Sequence, residues 1–199
     1  RVGLIGYGYA SKTFHAPLIA GTPGMTLAAV SSSDAAKVHA DWPSVPVVSE
    51  PKHLFNDPNI DLIVIPTPND THFPLAKAAL EAGKHVVVDK PFTVTLSQAR
   101  ELDALAKSLG RLLSVFHNRR WDSDFLTVKR LLSEGTLGEI LFFESHFDRF
   151  RPQVRNRWRE QAGPGSGIWY DLAPHLLDQA VNLFGLPVSM TVDLAQLRP

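Results

Sequence analysis

The sequence contains no cysteine, which excludes disulfide bonds, thiolate metal ligands and cysteine nucleophiles. It also lacks a net charge, because 20 Lys and Arg residues balance 20 Asp and Glu residues. This balance gives no reason to expect nucleic acid or an anionic membrane surface as a partner. No apolar run approaches the ~20 residues of a membrane span, and the first residues of the sequence do not have the pattern of a signal peptide. We therefore expect a cytoplasmic protein without a membrane or nucleic-acid partner.

Histidine is present, but not in a metal-binding pattern. The eight histidines are scattered and form no HxxxH or HExxH pair, so no metal site is expected. Hydrophobic residues make up 44% of the 199 residues. That fraction is enough to bury a core in one large domain or two small ones.

Strand and helix patterns alternate along the first 120 residues. Two helical segments are clear, Thr71–Ala82 and Thr95–Ser108, because apolar residues recur there at helical spacing. The segments that predict strands are Val2–Ile5, Thr26–Val30, Val47–Val48, Leu62–Ile65, His85–Val88 and Leu112–Phe116. Such alternation is typical of right-handed crossovers in a doubly wound parallel sheet. We expect an α/β domain of the Rossmann type over residues 1–120.

The pattern changes after Arg120. A helix is predicted over Ser123–Ser133, and ILFFESHFDRF, residues 140–150, alternates like a longer strand. A last strand is predicted over Ser189–Leu194. Residues 121–199 are therefore expected to begin an α+β domain, which this chain does not complete.

The first strand leads into LIGYGYAS, which is close to the GxGxxG fingerprint of dinucleotide-binding proteins. Gly6 permits a tight turn, Gly8 lets the backbone approach a pyrophosphate, and Ser11 takes the third place, where a small residue allows close helix packing. The phosphate would lie at the amino end of a helix that begins near Lys12. Glycine pairs also form ordinary turns, so the assignment depends on the strand, turn and helix around them.

The second strand is followed by Ser31, Ser32 and Ser33, and not by the acidic residue that binds the ribose hydroxyls of NAD. Three hydroxyls with Lys37 nearby suit the 2′-phosphate of NADP better. Ser33 or Asp34 would also cap a short helix over residues 35–40, and the two interpretations are compatible. NADP is the preferred cofactor, and NAD is the alternative.

The fourth strand leads into PTPNDTHFP, a loop expected across the same crevice as the glycine loop. Pro66 and Pro68 end the strand, and the polar residues after them offer a turn and a helix cap. Pro66, Thr67 and Asn69 are candidate cofactor contacts. His72 would either contact the nicotinamide or be a surface residue in a first helical turn.

A lysine follows the fifth strand. The run Val86–Val88 in VVVDKPF predicts a strand that is buried on both faces. Lys90 comes just past its carboxyl end, where open α/β sheets bind ligands. It is therefore either a working group of a site or a solvated surface charge.

The segment GSGIWYDLAPHLLD, residues 165–178, places Asp171 and His175 four residues apart. Pro174 belongs in a first helical turn, so Asp171 is expected at or next to the helix start. The two side chains can then face the same side and exchange a substrate proton. A helix cap and a buried histidine are the alternative. Tyr170 and Trp169 would stack on a sugar ring or pack in the core.

Five arginines are interleaved with Phe150 and Trp158 in RFRPQVRNRWR, residues 149–159. Such segments can bind single-stranded nucleic acid. The neutral overall charge favours a substrate carboxylate or phosphate, a subunit partner or a solvated loop instead. Arg157 and Trp158 are candidate substrate contacts. In FHNRRW, residues 116–121, Arg119 and Arg120 are expected to form structural pairs or phosphate contacts.

Five motifs, GYGYAS, PTPNDTH, DKP, FHNRRW and YDLAPHLLD, occur in an order that resembles the Gfo/Idh/MocA family of NAD(P)-dependent oxidoreductases. The resemblance covers the dinucleotide domain and the opening of the next domain. Members of this family continue into a large, mainly antiparallel open sheet, which residues 121–199 are expected to begin. The resemblance therefore implies a chain truncated at its carboxyl end and, at full length, a homo-oligomer formed through that sheet. The absence of an initiator methionine before Arg1 suggests a cut at the amino end as well.

The resemblance also implies catalytic residues. Lys90 matches the lysine of the family's E/D-K-P motif, which contacts substrate and assists proton transfer, and the peptide bond before Pro91 is expected to be cis. Asp171 and His175 match the family's catalytic pair.

Further contacts are implied as well: Asp89, Asn118 and Lys90 itself with the cofactor, and His117 with the substrate. The implied activity is hydride transfer between a nicotinamide and a small hydroxy or keto substrate such as a sugar, a cyclitol or a related polyol. The alternative is a nucleotide-sensing regulatory protein that keeps the fold and binds cofactor without turnover.

Overall fold

The computed structural model describes residues 1–148, 150, 152–153 and 156–195, except for the side chain of Trp158. Contacts between Cα atoms divide the chain into two units, Arg1–Phe116 and His117–Pro199. The first unit contains the sheet. The second is helical where it has regular structure in its described residues.

Six strands form the sheet of the first unit: β1 (Val2–Ile5), β2 (Leu27–Ser31), β3 (Val47–Val48), β4 (Leu62–Ile65), β5 (His85–Asp89) and β6 (Leu113–Phe116). They lie in the order β3-β2-β1-β4-β5-β6, and every neighbouring pair is parallel. The direction of winding reverses between β1 and β4. The doubly wound Rossmann sheet predicted from the alternating pattern is therefore confirmed.

Five α-helices cover the sheet: α1 (Ala16–Gly21), α2 (Ala35–His39), α3 (Pro51–Phe55), α4 (His72–Glu81) and α5 (Leu96–Ser108). A π-helical turn, Ser11–His15, leads into α1. The carboxylate of Asp34 caps α2 by accepting from the backbone N–H of Lys37 at 3.0 Å, as the sequence predicts. Thr95 and Gln98 form a reciprocal capping box at the start of α5.

The sheet buries apolar side chains on both faces. Because neighbouring residues of a strand point to opposite faces, Ile63 and Ile65 of β4 pack with Leu80 of α4, whereas Val64 packs on the other face with Ile19 of α1. All five side chains are buried. Burial on both faces fixes the strands, and the polar loops leave the sheet at its carboxyl edge.

The second unit contains α6 (Ser123–Ser133) and α7 (Gly167–Phe184), with 3-10 turns over Asn118–Trp121 and Trp158–Glu160. The predicted helix over α6 is confirmed. The strands expected over residues 140–150 and 189–194 do not form in the described part of these segments. Alternation supplies apolar side chains but no hydrogen-bonding partner, and Leu141 and Phe142 are left 87% and 79% exposed.

Helix α7 begins earlier than expected. It starts at Gly167, so Asp171 lies in its second turn and Pro174 in its interior. The expectation that Asp171 stands at the helix start is wrong. An interior proline costs ~3 kcal/mol but does not forbid a helix, and burial of Leu172 and His175 on either side of Pro174 offsets part of that cost. None of the helices in the described ranges is long and apolar enough to span a membrane.

Candidate active site

The glycine loop after β1 and the loop after β4 lie side by side at the carboxyl edge of the sheet. A methyl group on Gly6 would lie 3.7 Å from Cγ2 of Thr67. Gly6 has a φ of +78°, which glycine adopts without strain. Its N–H donates to the carbonyl oxygen of Ser31, the last residue of β2, at 2.7 Å. The two loops thus meet where the winding of the sheet reverses, which is the usual ligand position in such folds.

Ser11 takes the place of the third glycine, and the structure shows a use for its hydroxyl. Oγ of Ser11 donates to the carbonyl oxygen of Gly6 at 2.9 Å, and the residue is completely buried. The sequence predicts only a small residue here. The hydrogen bond in addition closes the glycine loop on itself.

Gly8 borders open space. Apart from its two chain neighbours, no heavy atom of the described residues lies within 4 Å of the place where its Cβ would be. The carbonyl oxygen of Gly8 accepts from the N–H of Lys12 at 3.0 Å, which begins the helical turn. Open backbone at the amino end of a helix can accept a phosphate group at close range. The loop therefore fits the pyrophosphate of a dinucleotide.

The serine and lysine residues predicted to bind a 2′-phosphate lie at the end of β2 and in α2. Ser31 is buried, Ser32 is half-buried, and Ser33 and Lys37 are exposed. Oγ of Ser32 accepts from the N–H of Asp34 at 3.1 Å and so stabilises the turn into α2. The hydroxyl of Ser33 and the ammonium group of Lys37 lie on the exposed surface beside this turn.

A polar group beside the glycine loop was not predicted from the sequence. Asp41 accepts hydrogen bonds from the hydroxyl of Tyr7 at 2.9 Å and from Nζ of Lys12 at 2.9 Å. Lys12 and Tyr7 hold the pKa of Asp41 below its ordinary value, while burial and Asp41 raise the pKa of Tyr7. The contacts link the start of the loop to the end of α2. Because 34 residues separate Tyr7 from Asp41, no local pattern indicates this group.

The loop after β4 is held by contacts within itself. Oγ1 of Thr71 lies 2.6 Å from Oγ1 of Thr67 and 2.6 Å from the carbonyl oxygen of Pro68. Thr71 therefore closes the loop and does not cap α4 with its side chain. Pro66 is half-buried and Asn69 is buried. The candidate cofactor contacts Pro66, Thr67 and Asn69 lie together in one loop.

His72 is not a surface residue, which was one of its two predicted alternatives. It is 0% exposed. Nδ1 lies 2.8 Å from the carbonyl oxygen of Pro91, and Nε2 lies 2.9 Å from that of Thr67. Burial lowers the pKa of His72 below its ordinary value, although both carbonyl oxygens oppose this. The imidazole thus connects the loop after β4 to the segment after β5.

The segment after β5 contains Asp89, Lys90 and Pro91. The Lys90–Pro91 peptide bond is cis, as the resemblance implies. Lys90 is half-buried, and its N–H donates to Oδ1 of Asp89 at 3.3 Å. A second buried histidine, His15, faces the same carboxylate, with Nε2 at 3.8 Å from Oδ1. Its ring packs on Phe116, with 4.3 Å between centroids. No motif in the sequence indicated a role for His15.

In the second unit, the arginines of FHNRRW form the structural pairs that the sequence predicts. Arg119 pairs with Asp122 at 2.7 Å, and Arg120 donates to both oxygens of Asp178. Asp178 raises the pKa of Arg120. His117 is half-buried, with Nδ1 at 3.7 Å from Oδ1 of Asp178. Asn118, the first residue of the 3-10 turn, is half-buried as well.

Asp171 and His175 lie on the same face of α7, because they are four residues apart in one helix. His175 is buried, and its ring lies edge-on to Phe147 with 6.2 Å between centroids. Oδ1 of Asp171 lies 3.4 Å from Nε of Arg159. Asp178, three residues after His175, continues this face. Asp178 ends the segment GSGIWYDLAPHLLD, and no role was predicted for it, although its spacing places it with the other two.

The arginine-rich segment is only partly described. Arg149, Arg151 and Arg155 lie outside the described residues, as does the side chain of Trp158. Arg157 pairs with Glu160, with 2.7 Å between Nη2 and Oε1. Arg157 and Arg159 thus each have a carboxylate partner.

The aromatic residues before Asp171 differ in burial. Tyr170 is half-buried, and Trp169 is 40% exposed. Core packing, one of the two alternatives for both residues, therefore fails for Trp169.

Within the described ranges, no group of three or more His, Asp or Glu residues is placed to hold a metal ion.

Comparison with known proteins identifies both parts of the chain. Residues 1–117 match the family described as the Gfo/Idh/MocA oxidoreductase family, NAD-binding Rossmann fold, and residues 125–199 match the Gfo/Idh/MocA C-terminal domain. Among solved structures, YPO2259 of Yersinia pestis superposes with a TM-score of 0.93 at 74% identity. The match covers 100% of this chain and 56% of that one.

Two curated relatives match the whole chain. YdgJ of Escherichia coli, named an uncharacterized oxidoreductase, is 89% identical over 199 residues. IolW of Bacillus subtilis, named a scyllo-inositol 2-dehydrogenase (NADP+), is 41% identical over 198 residues. The chain spans 58% of the length of YdgJ and 55% of that of IolW. The resemblance in the sequence motifs is confirmed, and the chain belongs to the Gfo/Idh/MocA oxidoreductase family.

Proposed function

We propose that the protein transfers a hydride between a nicotinamide dinucleotide and a carbon that carries a hydroxyl or ketone group, on a sugar, a cyclitol or a related polyol. The observation that carries this proposal is the position of Lys90 directly after β5. One imidazole, that of His72, contacts both the segment of Lys90 and the loop that borders Gly6. An ammonium group therefore lies at the edge of the sheet where the dinucleotide loop opens.

The dinucleotide would be held by the loops of the first unit. Gly6, Gly8 and Ser11 fit its pyrophosphate, and Pro66, Thr67, Asn69, Asp89 and Asn118 are the further residues that we assign to it. When bound, the nicotinamide supplies the carbon that donates or accepts the hydride. We expect NADP in preference to NAD, because Ser33 and Lys37 offer a hydroxyl and an ammonium group on exposed surface. IolW is named for NADP+, which agrees with this preference.

Lys90, Asp171 and His175 are the residues that we assign to catalysis. The ammonium group of Lys90 stabilises the negative charge that develops on the substrate oxygen. His175 exchanges the proton of the substrate hydroxyl, and Asp171, on the same face of α7, orients the imidazole or holds a second substrate hydroxyl. The resemblance of the DKP and YDLAPHLLD motifs to those of the family supports these roles.

The substrate class follows from neighbouring residues and from one relative. Tyr170 offers a ring for stacking on a sugar or cyclitol. His117, Arg157 and Trp158 are further candidate contacts. The name of IolW identifies a cyclitol, scyllo-inositol, as the substrate of that relative. We expect the full-length protein to be a cytoplasmic homo-oligomer with a small-molecule substrate and no nucleic-acid partner.

The test is a fluorescence titration of the full-length protein with NADPH and with NADH, at low and at physiological salt. We expect tighter binding of NADPH. Lys37→Ala should weaken NADPH binding about 10-fold or more, because one charge-assisted contact is lost, and should leave NADH binding unchanged. Lys52→Ala, a change to an exposed lysine of α3, is the control.

Turnover is then measured with scyllo-inositol and with a panel of sugars, polyols and ketones. Binding of neither dinucleotide would contradict the proposal. Binding without turnover of any substrate would favour the nucleotide-sensing regulatory protein.

A further inference from the structure

His72 occupies a position between two backbone carbonyl oxygens of different loops. Nδ1 lies 2.8 Å from the oxygen of Pro91, and Nε2 lies 2.9 Å from the oxygen of Thr67. His72 is the first residue of α4, and it is 0% exposed. Pro91 is buried as well. The contact with Pro91 thus lies in the interior, where water does not compete for the carbonyl oxygen, and the contact with Thr67 is partly buried.

The imidazole connects the chain where the sheet no longer does. The ladder between β4 and β5 runs from the pair Leu62 and His85 to the pair Ile65 and Val88. Thr67 lies two residues past the end of that ladder, and Pro91 three. Beyond Ile65 and Val88, the two segments have no further ladder pair, and His72 takes over the connection.

Each contact lies next to a residue of the proposed site, one in sequence and the other in space. Pro91 follows Lys90 directly. Thr67 borders Gly6, with 3.7 Å between its Cγ2 and a methyl group placed on Gly6. A shift of His72 would therefore move the segment of Lys90 relative to the dinucleotide loop. A misplacement of about 1 Å can reduce a catalysed rate about 100-fold.

A ring nitrogen of His72 can form a hydrogen bond with a carbonyl oxygen only if it carries a hydrogen atom. Both partners are carbonyl oxygens, which only accept, and a neutral imidazole has one N–H. Burial favours the neutral form by lowering the pKa of His72, whereas both carbonyl oxygens and Asp89 favour the protonated form. In the neutral form one of the two carbonyl oxygens receives the hydrogen bond. A smaller amide side chain at this position could satisfy one contact but could not span both.

We propose that His72 is a positioning residue, which fixes the segment of Lys90 relative to the loop at residues 66–71 and does not itself touch the reacting atoms. The proposal rests on the proposed function in so far as Lys90 acts at the nicotinamide. This role differs from both alternatives in the sequence, in which His72 contacts the nicotinamide or lies on the surface. With both ring nitrogens on protein carbonyl groups, His72 acts through Thr67 and Pro91.

The test compares two substitutions in α4 of the full-length protein. His72→Leu removes both contacts and fills the buried position with an apolar side chain. Leu80→Ala is the control, because Leu80 is also 0% exposed in α4 and packs in the core. Both variants are expected to be less stable than the wild type. Only His72→Leu should disturb the segment of Lys90.

The first measurement needs neither cofactor nor substrate. Lysine side chains are methylated with a 13C label, and the NMR signal of Lys90 is assigned by its loss in Lys90→Arg. We expect this signal to shift or broaden in His72→Leu and to stay in place in Leu80→Ala. His72→Gln, which keeps one donor, should give a smaller change. If His72→Leu does not fold, His72→Gln decides, with an unchanged Lys90 signal counting against the proposal.

The second measurement separates this proposal from the proposed function. If the wild type turns over a substrate, His72→Leu should lower kcat at least about 10-fold, with the KM of the substrate and the Kd of NADPH within about threefold of the wild type. Equal losses in Leu80→Ala would overturn the positioning role. If the wild type binds no dinucleotide, the proposed function fails, and the NMR signal of Lys90 still decides whether His72 positions that segment.

Discussion

Arg120 and Asp178 form a two-point ion pair between the 3-10 turn over Asn118–Trp121 and helix α7. Nε of Arg120 donates to Oδ2 at 2.7 Å, and Nη2 donates to Oδ1 at 2.5 Å. The carboxylate side chain is only 10% exposed, and the arginine is 44% exposed. Asp178 shares the face of α7 with Asp171 and His175. The pair therefore fixes the position of that face relative to the turn.

Asp178→Asn should lower the free energy of unfolding of the protein by about 1–3 kcal/mol, because a two-point, charge-assisted contact is lost at a side chain that is only 10% exposed. Asp122→Asn is the matched control. It removes a second Arg–Asp pair from the same segment, but both partners of that pair are more than 30% exposed. Its cost should stay below about 1 kcal/mol. Urea unfolding measures both values, and equal losses would show that the Asp178 pair is no more than a surface contact.

A methyl group should affect stability differently at the two glycines of the dinucleotide loop. Gly6→Ala should cost about 1–2 kcal/mol of stability, because its φ of +78° is strained for alanine. Gly8→Ala should change stability by less than about 0.5 kcal/mol, because its Cβ would enter open space.

The dinucleotide affinity gives the complementary result. Gly8→Ala should weaken NADPH binding, because the methyl group would take the space through which the pyrophosphate approaches the backbone. Fluorescence titration and urea unfolding measure the pair of effects. A Gly8→Ala variant that binds NADPH like the wild type would place the pyrophosphate elsewhere.

The burial of His72 should make stability depend on pH. Burial lowers its pKa, so the unfolded chain takes up a proton near pH ~6.5, before the folded chain does. Below that pH the unfolded state binds more protons, and stability falls as the pH decreases toward the lowered pKa of the folded state. Above pH ~6.5 this contribution is fully present.

His72→Gln should therefore flatten the loss of stability between about pH 7.5 and about pH 5.5. His53→Gln, which changes an exposed histidine of α3, controls for the loss of one imidazole. Urea unfolding at several pH values gives the slopes. The same slope in His72→Gln and in the wild type would mean that His72 is not held neutral by its burial.

The regular part of the first unit could be predicted from the sequence. Runs such as Val86–Val88 are apolar, β-branched and bounded by Gly83 and Pro91, so their identity as buried strands follows from local chemistry. The structure places the end of β5 only one residue later, at Asp89. The glycine loop was predictable for the same reason, because a strand, a turn and a helix follow one another there.

The contacts between distant segments could not be predicted. His72 meets carbonyl groups that lie 5 and 19 residues away in sequence, and backbone carbonyl groups leave no trace in residue type. His15 and Asp89 are brought together only by the fold. In the second unit, alternation over residues 140–150 indicated a strand, but a strand needs a neighbour to pair with, and alternation does not show whether one is present.

The proposed catalytic role of Lys90 gives the most direct prediction on activity. Lys90→Met removes the ammonium group and keeps a side chain of similar length. In the full-length protein we expect kcat to fall about 10²–10⁴-fold, which is the range for the loss of a group that assists proton transfer. The Kd of NADPH should change by less than about threefold, because the contacts of the glycine loop are retained.

Lys77→Met is the matched control, because Lys77 of α4 is half-buried like Lys90 but pairs with Glu101. It should retain the kcat of the wild type. Stopped-flow measurement of nicotinamide absorbance in a single turnover separates the hydride step from product release. If Lys90→Met slowed product release alone, Lys90 would act in binding and not in catalysis. If instead the hydride step itself slows, Lys90 acts in the chemical step, as the proposed stabilisation of charge on the substrate oxygen requires.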